Sequence, residues 1–252
     1  MARPDQGLRL AVLIDADNAS PKIADGLFDE IAKIGEASLR RIYGDFSTGQ
    51  LKGWSEILAR HAILPQQQFA YTTGKNSSDI ALVIDAMDLL HSGRFDGFCL
   101  VSSDSDFTRL AARIREQGVD VYGIGQAKTP ESFRQACTRF IFSENFTPVT
   151  AEPGGAKKTK AALRPMDEAI TLIEKAMEQL EDDPDGWYQL GTVGQRVTNL
   201  SSEFDTRTFG HAKLSDLVVA TDRFEIDRSG PHMRMRVKRK PKTRPTRRAP
   251  KS

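Results

Sequence analysis

The sequence predicts an α/β fold: a mostly parallel sheet with helices on both faces, then a small winged-helix-like α+β unit and a disordered basic tail. Three observations carry this. Short apolar runs alternate with amphipathic segments from Leu8 to Phe142, the signature of repeated strand–helix units. Two of the runs, Leu8–Ile14 and Phe98–Val101, are almost continuously apolar, as strands covered on both faces are. The periodicity then lapses at Thr150–Arg164, where EPGGAKKTKAALR reads as a flexible linker, and the remaining segment is too short for a second α/β domain.

Each element has a local reason. After the first strand, Ser20-Pro21 forms an N-cap with proline at the first helical position. That helix is expected to reach Ile34, with Gly35 as its stop. Ser38–Tyr43 is a strand, Lys52–His61 an amphipathic helix and Ala62–Phe69 a third strand. Ser78–His91 is a helix with Ile80, Val83, Ile84, Met87 and Leu90 at helical spacing. Phe98–Val101 is the central strand, Phe107–Gln117 a helix, Val119–Ile124 a strand, Glu131–Ala136 a short helix and Arg139–Phe142 the last strand. In the second unit, Met166–Leu180, Trp187–Leu200 and Ala212–Val219 are helices. Phe224–Asp227 and Met233–Lys238 form a hairpin around Arg228-Ser229-Gly230.

The domains are therefore expected at 1–149 and 165–238, with a linker at 150–164 and a tail at 239–252. At 252 residues the chain is long enough for one sizeable domain and a small one. Cys99 and Cys137 form no C-x-x-C pair, which argues against a disulfide scaffold and fits a reducing cytosol. No run approaches the ~18 apolar residues of a membrane span, so a cytoplasmic protein without a membrane partner is expected.

The net charge of +2 hides a division. Residues Arg234–Ser252 hold ten Lys/Arg and no acid, leaving residues 1–233 with 26 basic against 34 acidic. An acidic body with a basic, proline-containing arm points to phosphate neutralisation and hence nucleic acid; the plainer alternative is a tail that only adds solubility.

Carboxylates gather where the strands should end. Asp15 directly follows an apolar strand and begins Asp15-Ala16-Asp17-Asn18; in α/β sheets ligands collect outside the carboxyl ends of strands. Asn18 is its neutral companion, able to hold a water or a phosphate oxygen. Asp17 reads equally as a site residue or a solvated one. Asp79 lies in the first turn of its helix, where the dipole also favours an acid. Asp85 sits about 240° further round that helix, so it is a more distant ligand or a hydrogen-bonded structural group. Ser103-Asp104-Ser105-Asp106 matches a capping box, which accounts for Asp106 but less well for Asp104. Carboxylates converging at neutral pH repel one another unless a cation sits among them, and Mg²⁺ or Mn²⁺ suits such oxygen ligands. Lys75 is a candidate phosphate contact. No dinucleotide fingerprint, phosphate-binding P-loop, zinc spacing or Gly-x-Ser-x-Gly elbow occurs.

These residues carry a resemblance. LIDADN, then KNSSD with ALVIDAMDLL, then VSSDSDF with its amphipathic helix and VDVYGIG, resemble over residues 8–146 a NYN domain of the LabA-like group, within the PIN-like nuclease superfamily. The resemblance implies Mg²⁺- or Mn²⁺-dependent RNA cleavage, with acidic metal-binding positions at Asp15, Asp79, Asp104 and Asp106. The segment FDTRTFGHAKLSDL with FEI, within residues 165–238, resembles an OST-HTH (LOTUS) domain, a module associated with RNA binding. It implies RNA contacts at Arg207, His211 and Lys213, with Phe209 and Leu217 in the core. The expectation is a metal-dependent ribonuclease holding RNA with its second domain and tail, and a homodimer is possible. The alternatives are a non-catalytic RNA-binding regulator and, on Asp15-Ala16-Asp17, a haloacid-dehalogenase-like phosphatase.

Overall fold

The computed structural model describes residues 7–47, 49–69, 77–146, 163–181 and 185–238. Contacts divide the chain into two units, Met1–Leu163 with Ser201–Thr208, and Arg164–Leu200 with Phe209–Ser252.

The first unit is built on six parallel strands: β1 (Leu8–Asp15), β2 (Gly35–Gly44), β3 (Leu64–Gln67), β4 (Gly97–Val101), β5 (Asp120–Gly125) and β6 (Arg139–Phe142). Their order is β3-β2-β1-β4-β5-β6. Successive β1 side chains serve opposite layers, as the two-residue strand period requires. Ala11 and Leu13 pack with α3 (Ser77–His91), α4 (Thr108–Glu116) and α5 (Glu131–Ala136), through Leu82, Leu110 and Phe133. Leu10, Val12 and Ile14 pack on the other face with Leu27 and Ile31 of α1 (Ala24–Ile31) and Trp54 of α2 (Lys52–Ser55). The registers Ile14↔Val101 and Val101↔Ile124 bring the carboxyl ends of β1, β4 and β5 to one level. The winding direction reverses between β1 and β4, and such a reversal opens a crevice at the carboxyl end of a sheet.

Several expectations change. Gly35 opens β2 instead of stopping a helix, and α1 ends at Ile31. A Cβ at Gly35 would lie 2.3 Å from the Leu8 carbonyl oxygen, so the glycine is needed for close pairing with β1. The helix expected over Lys52–His61 is regular only to Ser55 and continues as irregular turns up to Ala62, at φ 50°. β3 shrinks to four residues. Most consequentially, α3 buries Leu82, Ala86, Leu89 and Leu90 while Ile80 and Ile84 stand 61% and 58% exposed. Of the expected set, Leu90 is buried and Val83 and Met87 are half-buried against the core, so the buried face is turned away from Ile80 and Ile84 towards Leu82, Ala86 and Leu89. Asp85 proves structural: its carboxylate accepts hydrogen bonds from the Arg41 guanidinium and the Tyr43 hydroxyl, tying α3 to β2.

The second unit holds α6 (Met166–Met177), α7 (Leu190–Leu200), α8 (Leu214–Ala220) and an antiparallel sheet β7-β9-β8. The hairpin strands are β8 (Phe224–Asp227) and β9 (Arg234–Val237), and β7 (Tyr188–Gln189) adds a short third strand where a helix was expected. Phe209 and Leu217 are buried as expected. Three of the ten terminal basic residues are engaged here: Arg234 with Asp227, Arg236 with Glu225 and Lys238 with Asp222. The tail at 239–252 lies outside the described residues.

The reassigned face of α3 is directly measurable. Leu82→Ala is expected to cost about 3 kcal/mol of unfolding free energy, and Ile84→Ala less than about 0.5 kcal/mol, by urea denaturation.

Candidate active site at the β1–β4 crevice

Asp15 ends β1 with its side chain almost wholly buried, at 1% exposure. Four donors hold it. Oδ2 accepts from Ser102 Oγ at 2.6 Å and Asn18 Nδ2 at 2.9 Å, and Oδ1 accepts from the backbone N–H groups of Asp17 at 3.1 Å and Asn18 at 3.3 Å. Burial still pushes its pKa up, against the opposing hydrogen bonds from Ser102 and Asn18. Four bonds roughly fill the lone-pair directions of a carboxylate, so Asp15 is an anchored group.

Ser102 is the residue the sequence reading missed. It follows β4, is buried, donates to Asp15 across the crevice and accepts from the Asp104 backbone N–H at 3.0 Å. One hydroxyl thus joins both strand ends. The expected Ser103 capping box does not form as read. The capping residue is Asp104, whose Oδ1 accepts from the Asp106 N–H at 2.9 Å. Ser103 Oγ instead accepts from the Gln126 N–H at 2.9 Å. Asp104 is half-buried and Asp106 exposed.

Asp79 enters from α3. It is half-buried and has no hydrogen-bond or ion-pair partner among the described residues. Its pKa rises from an ordinary 3.8 to about 6, first through burial and then through the negative charges of Asp15, Asp104, Asp17 and Asp106. The other three predicted carboxylates thus each act on Asp79. Asp17 joins them, accepting from Ser78 Oγ at 3.1 Å and so linking the β1 mouth to the start of α3.

The donors are all oxygen, which suits Mg²⁺ or Mn²⁺. As the side chains stand, however, no three His, Cys, Asp or Glu among the described residues are close enough together to hold a metal ion. The chemistry of the donor set fits a divalent cation, but a closed ligand set requires the carboxylates to turn towards each other.

Of the predicted RNA contacts, Lys75 lies outside the described residues. Asn18 is exposed but gives one amide hydrogen to Asp15. Arg207 is engaged by two carboxylates of the first unit, Asp205 and Glu30, with 2.9 Å bonds to both Glu30 oxygens. Any contact of Arg207 with RNA would be made by a guanidinium already paired with these two carboxylates. His211 is partly exposed, and Lys213 is exposed at the start of α8.

The NYN domain family matches residues 9–144, which is more than half of the chain and contains Asp15, Asp17, Asp79, Asp104 and Asp106. This chain belongs to the NYN domain family. The OST-HTH/LOTUS domain matches residues 165–235. A domain of a nuclease family is thus joined to one of an RNA-binding family. Comparison with curated proteins finds no match. Among solved structures, the chain is similar to a protein of unknown function from Vibrio parahaemolyticus. That pair is 16% identical, with 56% of this chain and 96% of that one covered and a TM-score of 0.48. It is also similar to an uncharacterized protein from Nitrosomonas europaea, at 33% identity over 38% of this chain and 92% of that one, with a TM-score of 0.27. No described helix of this NYN protein is long and apolar enough to cross a membrane.

The repulsion at Asp79 has a signed consequence. With the folded pKa at about 6 against 3.8, the ionised group disfavours folding increasingly between about pH 4 and 6, and fully above that. Unscreened, such a shift corresponds to about 3 kcal/mol; the side chain is half in water, so about 1 kcal/mol is expected. Asp79→Asn should stabilise the metal-free protein by that amount at pH 7.5 and by nothing below pH 4, in thermal melts with EDTA.

Proposed function

We propose that this chain hydrolyses RNA phosphodiester bonds at the β1–β4 crevice with the help of Mg²⁺ or Mn²⁺. The observation that carries the reading is Asp79: a half-buried carboxylate with no partner among the described residues, raised to about 6 by burial and the acids around it. Uncompensated negative charge at a sheet's winding reversal is costly for a fold and useful to a cation site.

Asp79, Asp104 and Asp106 would hold the ion, with Asp15 joining by giving up one of its four hydrogen bonds. Asp104 keeps its second oxygen without a partner among the described residues. When bound, a divalent ion supplies charge stabilisation for the phosphodiester and a more acidic water. The chain does the positioning. Ser102 locks Asp15 and the Asp104 backbone in one arrangement, and Asn18 fixes the Asp15 plane. At neutral pH Asp79 is largely ionised and able to accept a proton or a metal bond. His211 and Lys213 of the second unit, with the basic tail, bind the RNA strand. RNA is the partner and the cytoplasm the site of action in this reading.

One observation favours the second reading, a non-catalytic RNA-binding regulator: no three acidic side chains among the described residues are drawn together as they stand. The phosphatase alternative fares worse, because a nucleophilic Asp15 would need a free oxygen, and both of its oxygens are buried under donors.

Incubation of purified protein with labelled single-stranded and structured RNAs separates the readings. Cleavage with Mn²⁺ or Mg²⁺ but not EDTA is expected. Asp15→Asn and Asp104→Asn should each lower it roughly 100-fold or more while leaving RNA affinity intact. Intact RNA with the wild-type protein in every metal would favour the regulator.

A further inference from the structure

Immediately beside the acidic crevice lies a recess of the opposite character. It is formed where the segments after β1, β4 and β5 meet; its polar lining comes from Asn18, Ser20, Ser102, Ser103, Gln126 and Ser143, beside the apolar Ile23, Val101 and Ile124, and the nearby Glu144 carboxylate is occupied by the Ser143 hydroxyl and the Ala127 N–H. Asn18 and Ser102 belong to both places: each donates to Asp15 and each lines the recess. Asn18 retains a second amide hydrogen, and Ser20 Oγ, which accepts from the Lys22 N–H, retains its own proton. The volume is about 20 Å³, room for a water or one phosphate oxygen but not for a base.

Two lysines lie next to lining residues in the chain. Lys22 lies between the lining residues Ser20 and Ile23, and Lys128 lies two residues beyond Gln126. Both are exposed, and neither is ion-paired to another described residue. This contrasts with Arg207, Arg234 and Arg236, whose charges are matched by carboxylates. Neutral donors in the lining, with lysines one and two residues from lining positions, suit a phosphodiester, which carries one charge and accepts hydrogen bonds without donating any.

We propose that this recess, with Lys22 and Lys128, seats a backbone phosphate of single-stranded RNA next to the one presented to the acidic crevice. The inference rests on the RNA reading above and deepens it: the first unit carries its own segment of the substrate track and sets the strand's register. Because the recess excludes a base, the contact is independent of sequence.

The test uses the full chain in EDTA, with fluorescein-labelled single-stranded RNA and anisotropy across a salt series. The Lys22→Ala/Lys128→Ala double variant should weaken binding about fivefold or more and reduce the salt slope by about 1, since each phosphate contact on a single strand contributes roughly 0.7. Gln126→Glu, which places a negative charge in the recess, should weaken binding comparably without removing a lysine. Arg113→Ala, a substitution of an ion-paired residue on α4, should change neither quantity. Wild-type affinity and slope in both the double variant and Gln126→Glu would overturn the proposal. Metal-dependent cleavage by wild type is scored separately. Cleavage with unaffected recess variants removes the recess and keeps the nuclease, whereas lost binding without any wild-type cleavage keeps the recess and removes the nuclease.

Discussion

The hydrogen bond from Ser102 Oγ to Asp15 Oδ2, 2.6 Å across the gap between β1 and β4, is the contact on which the site depends. Two strands distant in sequence pair in parallel because both are apolar on both faces, and helices cover each face. Their register then fixes the level at which each chain leaves the sheet. The residues just beyond each strand end are polar, so the reversal of winding gathers hydrogen-bonding groups that have no sheet left to satisfy. Ser102 resolves part of that demand by serving both sides, donating to one carboxylate and accepting from the backbone that orients the next.

The charge gathered there is not resolved by the fold itself. Asp15 is quieted by four donors, yet Asp79 receives none from the described residues and is pushed to about 6 by burial and its acidic neighbours. Elsewhere several buried or half-buried charges are matched: Asp85 with Arg41 and Tyr43, Glu30 with Arg207 and Lys33. Repulsion acts on Asp79 at the crevice, and Asn18 and Ser102 connect that crevice to the recess proposed to seat a phosphate.

Much of this was legible in the sequence, and the failures have particular causes. The continuous apolar runs of β1 and β4 announced buried parallel strands, and the acids beyond them marked the strand mouths. Composition could not reveal which face of α3 is buried, because Ile80–Ile84 and Leu82–Ala86–Leu89 offer competing stripes. Gly35 read as a helix stop because the clash a side chain would make there is with Leu8, 27 residues earlier. Ser102 was overlooked because the capping pattern drew attention one residue on, to Ser103; the signal available was its position directly after a buried strand. The pairing of Arg207 with Glu30, 177 residues earlier, could not be read before folding. Asp15 and Asp104 were read from strand ends, whereas the set with Asp79 and Asp106 came from the family resemblance; no three of these side chains among the described residues stand close enough to hold an ion.

The central claim is that this unrelieved charge collects a divalent cation at the β1–β4 crevice. Anomalous diffraction from crystals equilibrated with Mn²⁺ tests it most directly. The account predicts one strong peak within bonding distance of Asp79 and Asp104 carboxylate oxygens. A crevice without a peak at saturating Mn²⁺, or a peak held only by residues away from α3 and the β4 mouth, would contradict it.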